Sequence, residues 1–141
     1  MVQVRPYLLW LGHAGDGRDV QKLADVGIEA VVQLAAEESP VKLLRDMLAF
    51  RIPLVDGSGN HLVRLRLAVQ IVVQLLKGRV PTLVCCGAGA SRSPAIVACA
   101  LAVSEERRPN ECLQLVQSLR DTDVTPGLWH DLLTLYQQDD L

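Results

Sequence analysis

The order of segments along the chain points to an α/β fold with a central, mostly parallel sheet flanked by helices, and three observations lead there. Short apolar runs bounded by glycine or polar turns alternate with longer runs at helical spacing. One pair of strand-like runs, "FRIPLV" and "VPTLVC", is joined by a long helical stretch from His61 to Lys77, the connection that parallel strands with a right-handed crossover require. No internal repeat, low-complexity tract or linker-like segment divides the chain, so residues 1–141 are expected to form a single domain.

Taken in order, "PYLLWLG" reads as a strand ending at Gly12, and "DGRDVQKLADVG" as a helix with Asp16 as N-cap and Gly27 as stop. "IEAVVQLA" is a second buried strand, β-branched in its middle. "SPVKLLRDMLAF" carries helix-start signals, Ser39 as N-cap and Pro40 at the first helical position, and "FRIPLV" follows as a strand. "DGSGN" is a loop and Gly78 ends the His61–Lys77 helix; Asn60 reads as that helix's cap, its nearness to Asp56 leaving an orienting role open. After the strand "VPTLVC" come three helical segments: "SPAIVACALAVSEE", then "NECLQLVQSL" capped by Asn110, then "TPGLWHDLLTLYQQ" capped by Thr125. In open parallel sheets ligands bind beyond the carboxyl ends of strands, where Asp56 and Cys86 both fall.

Composition narrows the function. Half of the residues are hydrophobic and the formal net charge is -2, with Lys and Arg scattered, so the footprint of a nucleic-acid binder is missing. The longest apolar run, "PAIVACALAV", is well short of the ~18 residues of a membrane span, and the N-terminus lacks a signal-peptide run. Cys85, Cys86, Cys99 and Cys112 follow neither a disulfide framework nor a zinc pattern, and His13, His61 and His130 share no spacing. A cytoplasmic protein without metal or cofactor is expected.

The stretch "CGAGASRS" carries the chemistry. A strand stopping at Cys86 and a helix starting near Arg92 leave Gly87, Ala88, Gly89, Ala90 and Ser91 to make the turn. Side chains this small leave the backbone amides open, and successive N–H groups at a helix N-terminus make a nest for a tetrahedral oxyanion. Arg92 adds a planar fork able to hold two of that anion's oxygens. A thiol at the mouth of such a cradle feels the same field, which favours its ionised, nucleophilic form.

The pattern Cys-x5-Arg-Ser resembles the signature of the cysteine-dependent protein tyrosine phosphatases, and the rest of the chain looks like their dual-specificity branch. "LLWLGHAGDGRDVQKLADVGIEAVVQLAAE" resembles the first strand-helix-strand segment of that branch, and "PLVDGSGNHL" resembles the loop that carries its general acid. The resemblance implies Cys86 as nucleophile forming a phosphocysteine, Arg92 and the amides of Gly87 to Arg92 as phosphate binders, and Asp56 as the acid that protonates the leaving oxygen. It also implies that Ser93 donates a hydrogen bond to the departing thiolate. The family usually has His before the nucleophile, where this chain has Cys85; its side chain is expected to point away from Cys86 and anchor the loop through hydrogen bonds.

The expected activity is hydrolysis of phosphate monoesters, phosphotyrosine first and phosphoserine or phosphothreonine besides, in protein or peptide partners. Alternatives are a phosphoinositide or other non-protein phosphatase, against which the lysine-free loop argues, a rhodanese-like sulfurtransferase, which would not need Asp56, and a phosphate-binding module without turnover. Oligomeric state is left open. Glu37 and Glu38, at another strand end, read as solvated loop acids with a place on the pocket rim as the alternative, Cys99 and Cys112 as core residues, and Trp129 and Tyr136 as packing residues.

Overall fold

Five strands make one sheet in the computed structural model, which describes residues 1–141, and six helices cover its two faces. The strands are β1 (Val2–Gln3), β2 (Leu9–Gly12), β3 (Ala30–Ala35), β4 (Leu48–Leu54) and β5 (Thr82–Cys85), in the spatial order β1-β2-β5-β3-β4. All neighbours are parallel except β1, which runs antiparallel to β2 at the edge. Its two residues are too few to carry a period-two signal in the sequence. Gly12 and Gln33 both stand opposite Cys85, and Ala35 opposite Leu54, so the carboxyl ends of the four parallel strands share one rim.

The helices are α1 (Ala14–Arg18), α2 (Val20–Val26), α3 (Leu62–Lys77), α4 (Arg92–Glu105), α5 (Pro109–Leu119) and α6 (Pro126–Gln137). Strand alternation divides their work. Leu9, Leu11, Val32, Leu34, Val84 and Cys86 face the large core shared with α3 to α6, while Val31, Leu83 and Cys85 face a small cluster with Leu23 of α2. α4 is buried on every side from Arg92 to Ala102, which explains its uninterrupted apolar run, and its alanines let neighbouring helices approach closely. Truncating a fully buried leucine of this core, such as Leu101, would cost roughly 2–5 kcal/mol.

Two expected elements are corrected. The segment after Ser39 is not a helix: it runs as irregular chain up to β4. The buried Gln33 side chain decides this, donating to Ser39 O at 2.7 Å and accepting from Val41 N at 3.1 Å, which holds the backbone open so that Val41, Leu43 and Met47 roof the small cluster. Tertiary contacts there override local helix signals. The expected first helix is likewise two short ones. Gly15 and Gly17 weaken it, and the Asp19 carboxylate accepts Lys22 N at 3.1 Å to start α2 afresh. The cap of α1 is His13, with Asp16 completing a capping box; Gly27 ends α2 at a φ of 90°, as expected.

Caps elsewhere also move. His61, not Asn60, precedes α3, and Arg108 with Pro109 begins α5, where Asn110 instead accepts the Trp129 indole N–H at 3.1 Å. Thr125 and Pro126 do begin α6, but the Thr125 hydroxyl makes no capping bond. No helix is long and apolar enough to cross a membrane.

Candidate active site

Cys86 follows β5 directly, and the loop Gly87–Ser91 carries the chain from the sheet rim into α4. The loop is anchored through its carbonyls. Gly87 O accepts Ala14 N of α1 at 2.9 Å, and Ala90 O accepts Asp123 N at 2.7 Å. With these carbonyls turned outward, the amides of Gly87, Ala88, Gly89, Ala90, Ser91 and Arg92 have no protein acceptor. A run of free amides at the N-terminus of a fourteen-residue helix can receive an anion. Gly89 is required for the turn: its φ is 75°, and a Cβ there would lie 2.7 Å from Gly12 O at the end of β2.

Arg92 is 7% exposed and held from two sides. Its Nη1 donates to Glu37 Oε2 at 2.7 Å and to Leu54 O at 3.0 Å, and its Nη2 donates to Glu37 Oε1. Of the five guanidinium N–H groups this leaves Nε–H, which is buried without a partner, and the second Nη2–H on the same edge. That edge presents two parallel donors, a geometry that can hold two oxygens of a tetrahedral anion. The hydrogen bond from Arg92 holds the Glu37 carboxyl down at about 2, against the ordinary 4.5. In return Glu37 first, and then the nearby Cys86 and Asp56, push the Arg92 pKa up. Glu37 is thus no idle loop acid: it fixes the guanidinium from the rim of β3, a pairing that only the sheet order reveals.

Asp56 lies just past β4 on an exposed loop. Its Oδ1 accepts the Ser91 and Thr125 hydroxyls, each at 2.6 Å. Asn60 pins the backbone of this loop, accepting Val55 N at 2.8 Å and donating to Val55 O at 2.9 Å and Gly57 O at 3.2 Å, so it orients the Asp56 loop and does not cap α3. Gly59 N adds a bond to Asp131 of α6 at 3.2 Å.

Ser93 Oγ is fully buried and has no partner, the Cys86 sulfur included, so the expected hydroxyl–sulfur bond is not formed in this conformation. Cys85 does point away from Cys86, but it anchors by packing, not by hydrogen bonds. Its sulfur lies 3.0 Å from where a Gly17 Cβ would stand, and burial pushes its thiol up to about 12. The absent side chain of Gly17 makes the room that this thiol fills. Cys99 and Cys112 are core residues, with burial raising both thiols, Cys99 to about 12.

Against known families, the catalytic-domain model of the dual-specificity phosphatases matches residues 9–138. The chain belongs to that family. As a dual-specificity phosphatase it is a cysteine-based hydrolase, and its fold recurs in solved structures. The crystal structure of human DUSP28 superposes with a TM-score of 0.86 at 23% identity, covering 98% of this chain and 96% of that one. A mouse putative dual specificity phosphatase complexed with zinc tungstate gives 0.84 at 23% identity, covering 99% and 91%. The human tyrosine phosphatase-like serine/threonine/tyrosine-interacting protein gives 0.82 at 19% identity, covering 99% and 97%. At these identities the likeness is one of fold. No curated protein matches by sequence.

In this dual-specificity phosphatase the residues brought to one rim are a buried thiol, a ring of free amides, a clamped guanidinium and a hydrogen-bonded carboxyl. They come from the ends of β5, α4, β3 and β4. Such a set can bind a tetrahedral dianion, attack it in line and exchange a proton with it.

Proposed function

We propose that the protein hydrolyses phosphate monoesters of proteins through a phosphocysteine on Cys86. The Cys86 thiolate attacks phosphorus and the ester P–O bond breaks. Asp56 gives its proton to the leaving oxygen. Arg92, through its free Nε/Nη2 edge, and the amides of Gly87, Ala88, Gly89, Ala90, Ser91 and Arg92 hold the three equatorial oxygens as charge spreads over them. In the second step a water attacks the same phosphorus, Asp56 as carboxylate takes its proton, and the P–S bond breaks to return the thiolate. The buried, unpartnered Ser93 hydroxyl is the donor available to that sulfur.

One observation carries this reading: amides and a guanidinium edge, all without protein acceptors, surround the loop that Cys86 opens. The substrate class follows from charge. Asp56, Asp123 and the Arg92-paired Glu37 stand beside the loop with one further cation, Arg120, and the loop itself holds no lysine, which offers little to headgroups bearing several phosphates. A sulfurtransferase would have no use for a carboxyl held at Ser91. Four free cysteines suit a reducing compartment, the cytoplasm. Residues 1–141 act as one catalytic unit in this reading.

The test is steady-state hydrolysis of an aryl phosphate without added metal, alongside phosphotyrosine, phosphoserine and phosphothreonine peptides and an inositol phospholipid. Turnover of the aryl phosphate and phosphopeptides, lost in Cys86→Ser, is expected. Hydrolysis confined to the lipid would overturn the protein-substrate reading, and full activity in Cys86→Ser would overturn the mechanism.

A further inference from the structure

Two helix N-caps near the site do not cap. Ser91 precedes α4 and Thr125 precedes α6, positions where a hydroxyl ordinarily accepts an N–H of the first turn. Neither makes that bond. Both hydroxyls are turned instead onto one oxygen, Asp56 Oδ1, at 2.6 Å each. With Asp56 ionised both hydroxyls donate, because a carboxylate oxygen only accepts. Ser91 Oγ also accepts Thr125 N at 3.0 Å, and the two hydroxyl oxygens lie 3.2 Å apart, so the three side chains form one cluster. Two helix starts, 34 residues apart in sequence, are thus tied to the loop after β4 through one atom.

The consequence is chemical. When Asp56 is neutral it carries one proton, and as long as both hydroxyls go on donating to Oδ1 its lone pairs are engaged and the other oxygen is the one left to bear it. Oδ2, which has no protein partner, then holds the proton. We propose that Thr125 and Ser91 are positioning residues that assign the transferable proton of Asp56 to Oδ2 and fix the plane from which it is delivered. This rests on the acid role given to Asp56 above. After transfer the carboxylate keeps both bonds on Oδ1, so Oδ2 is also the oxygen that collects the proton from the hydrolytic water. One residue of the phosphate loop, Ser91, thereby links the seating of the anion to the aim of the acid.

Thr125 lies outside the phosphate cradle and is the residue to vary. Thr125→Val keeps shape and removes the donor, and Thr125→Ser restores it. kcat/KM is read across aryl phosphates from 2,4-dinitrophenyl phosphate, whose leaving group needs no proton, to phenyl phosphate, whose leaving group does. Thr125→Val is expected to lose about tenfold on phenyl phosphate and less than about twofold on the dinitrophenyl ester, with Thr125→Ser near wild type on both. Tungstate affinity should hold in all three proteins. Equal losses across the series, no loss on phenyl phosphate, or failure of serine to rescue would overturn the assignment. If the valine variant does not fold, Thr125→Ala is read by the same criteria. A wild type inactive on every ester would instead sink the phosphatase reading, so the two failures are distinguishable.

Discussion

Replacing Arg92 by lysine keeps a positive charge in the same buried place and removes the planar fork. The guanidinium spends three N–H groups on Glu37 and Leu54 O, leaving Nε–H and one Nη2–H for the phosphoryl oxygens. A lysine ammonium has three donors at a single point. It can reach Glu37 or the anion with full strength, not both in parallel. A hydrogen bond to a charged group is worth roughly 1.5–3 kcal/mol, so losing one of the two transition-state bonds and loosening the other costs about 2–4 kcal/mol. At about 1.4 kcal/mol per factor of ten, kcat/KM on an aryl phosphate should fall about 30- to 1,000-fold. Thermal unfolding run in parallel separates this from instability, because Arg92 also ties α4 to the ends of β3 and β4. A loss of only twofold in a well-folded Arg92→Lys would refute the two-pronged role.

Asp56→Asn preserves an oxygen that accepts Ser91 and Thr125 but has no proton to give, so kcat/KM should drop about 100-fold or more for phenyl or alkyl phosphates and little for 2,4-dinitrophenyl phosphate; equal losses across a leaving-group series would remove Asp56 from the acid role. Gly89→Ala forces a side chain into left-handed backbone at about 1–2 kcal/mol and drives its methyl to 2.7 Å from Gly12 O, so tungstate affinity and kcat/KM should both fall at least about tenfold; unchanged tungstate binding would show that the loop can shift freely. Glu37→Gln tests the clamp through pH. The Glu37 carboxyl is depressed from 4.5 to about 2, so its contribution to stability is fully present above about pH 4.5 and is lost as pH falls toward about 2. Because Glu37 is more than half exposed, that contribution is screened to about 1 kcal/mol. Urea unfolding should therefore show wild type ahead of Glu37→Gln at neutral pH and level with it near pH 2, and a gap independent of pH would contradict the pairing.

What the sequence makes legible is what lies close together along it. Cys86 to Arg92 is a contiguous run whose small residues announce an open turn, and alternation alone puts Cys85 and Cys86 on opposite faces of the sheet. Asp56 is readable as the residue after a strand end. The clamp of Glu37 on Arg92 and the two hydroxyls on Asp56 are not, because each joins side chains 35 to 69 positions apart and exists only once the order β2-β5-β3-β4 brings strand ends together. The misread helix after Ser39 has the same origin. Ser-Pro followed by spaced apolar residues is a sound local signal, and a single buried glutamine from β3 overrules it. Asn60 reads as a cap by position, yet its amide is committed backwards to Val55 and Gly57.

Acid quenching during turnover of a labelled aryl phosphate, followed by mass spectrometry of the peptides, tests the central claim most directly. A phosphoryl group carried by the Cys86 sulfur, absent from Cys85 and from the Cys86→Ser protein, is the predicted result. Continued turnover with no phosphorylated cysteine, or with the label on any other residue, would contradict it.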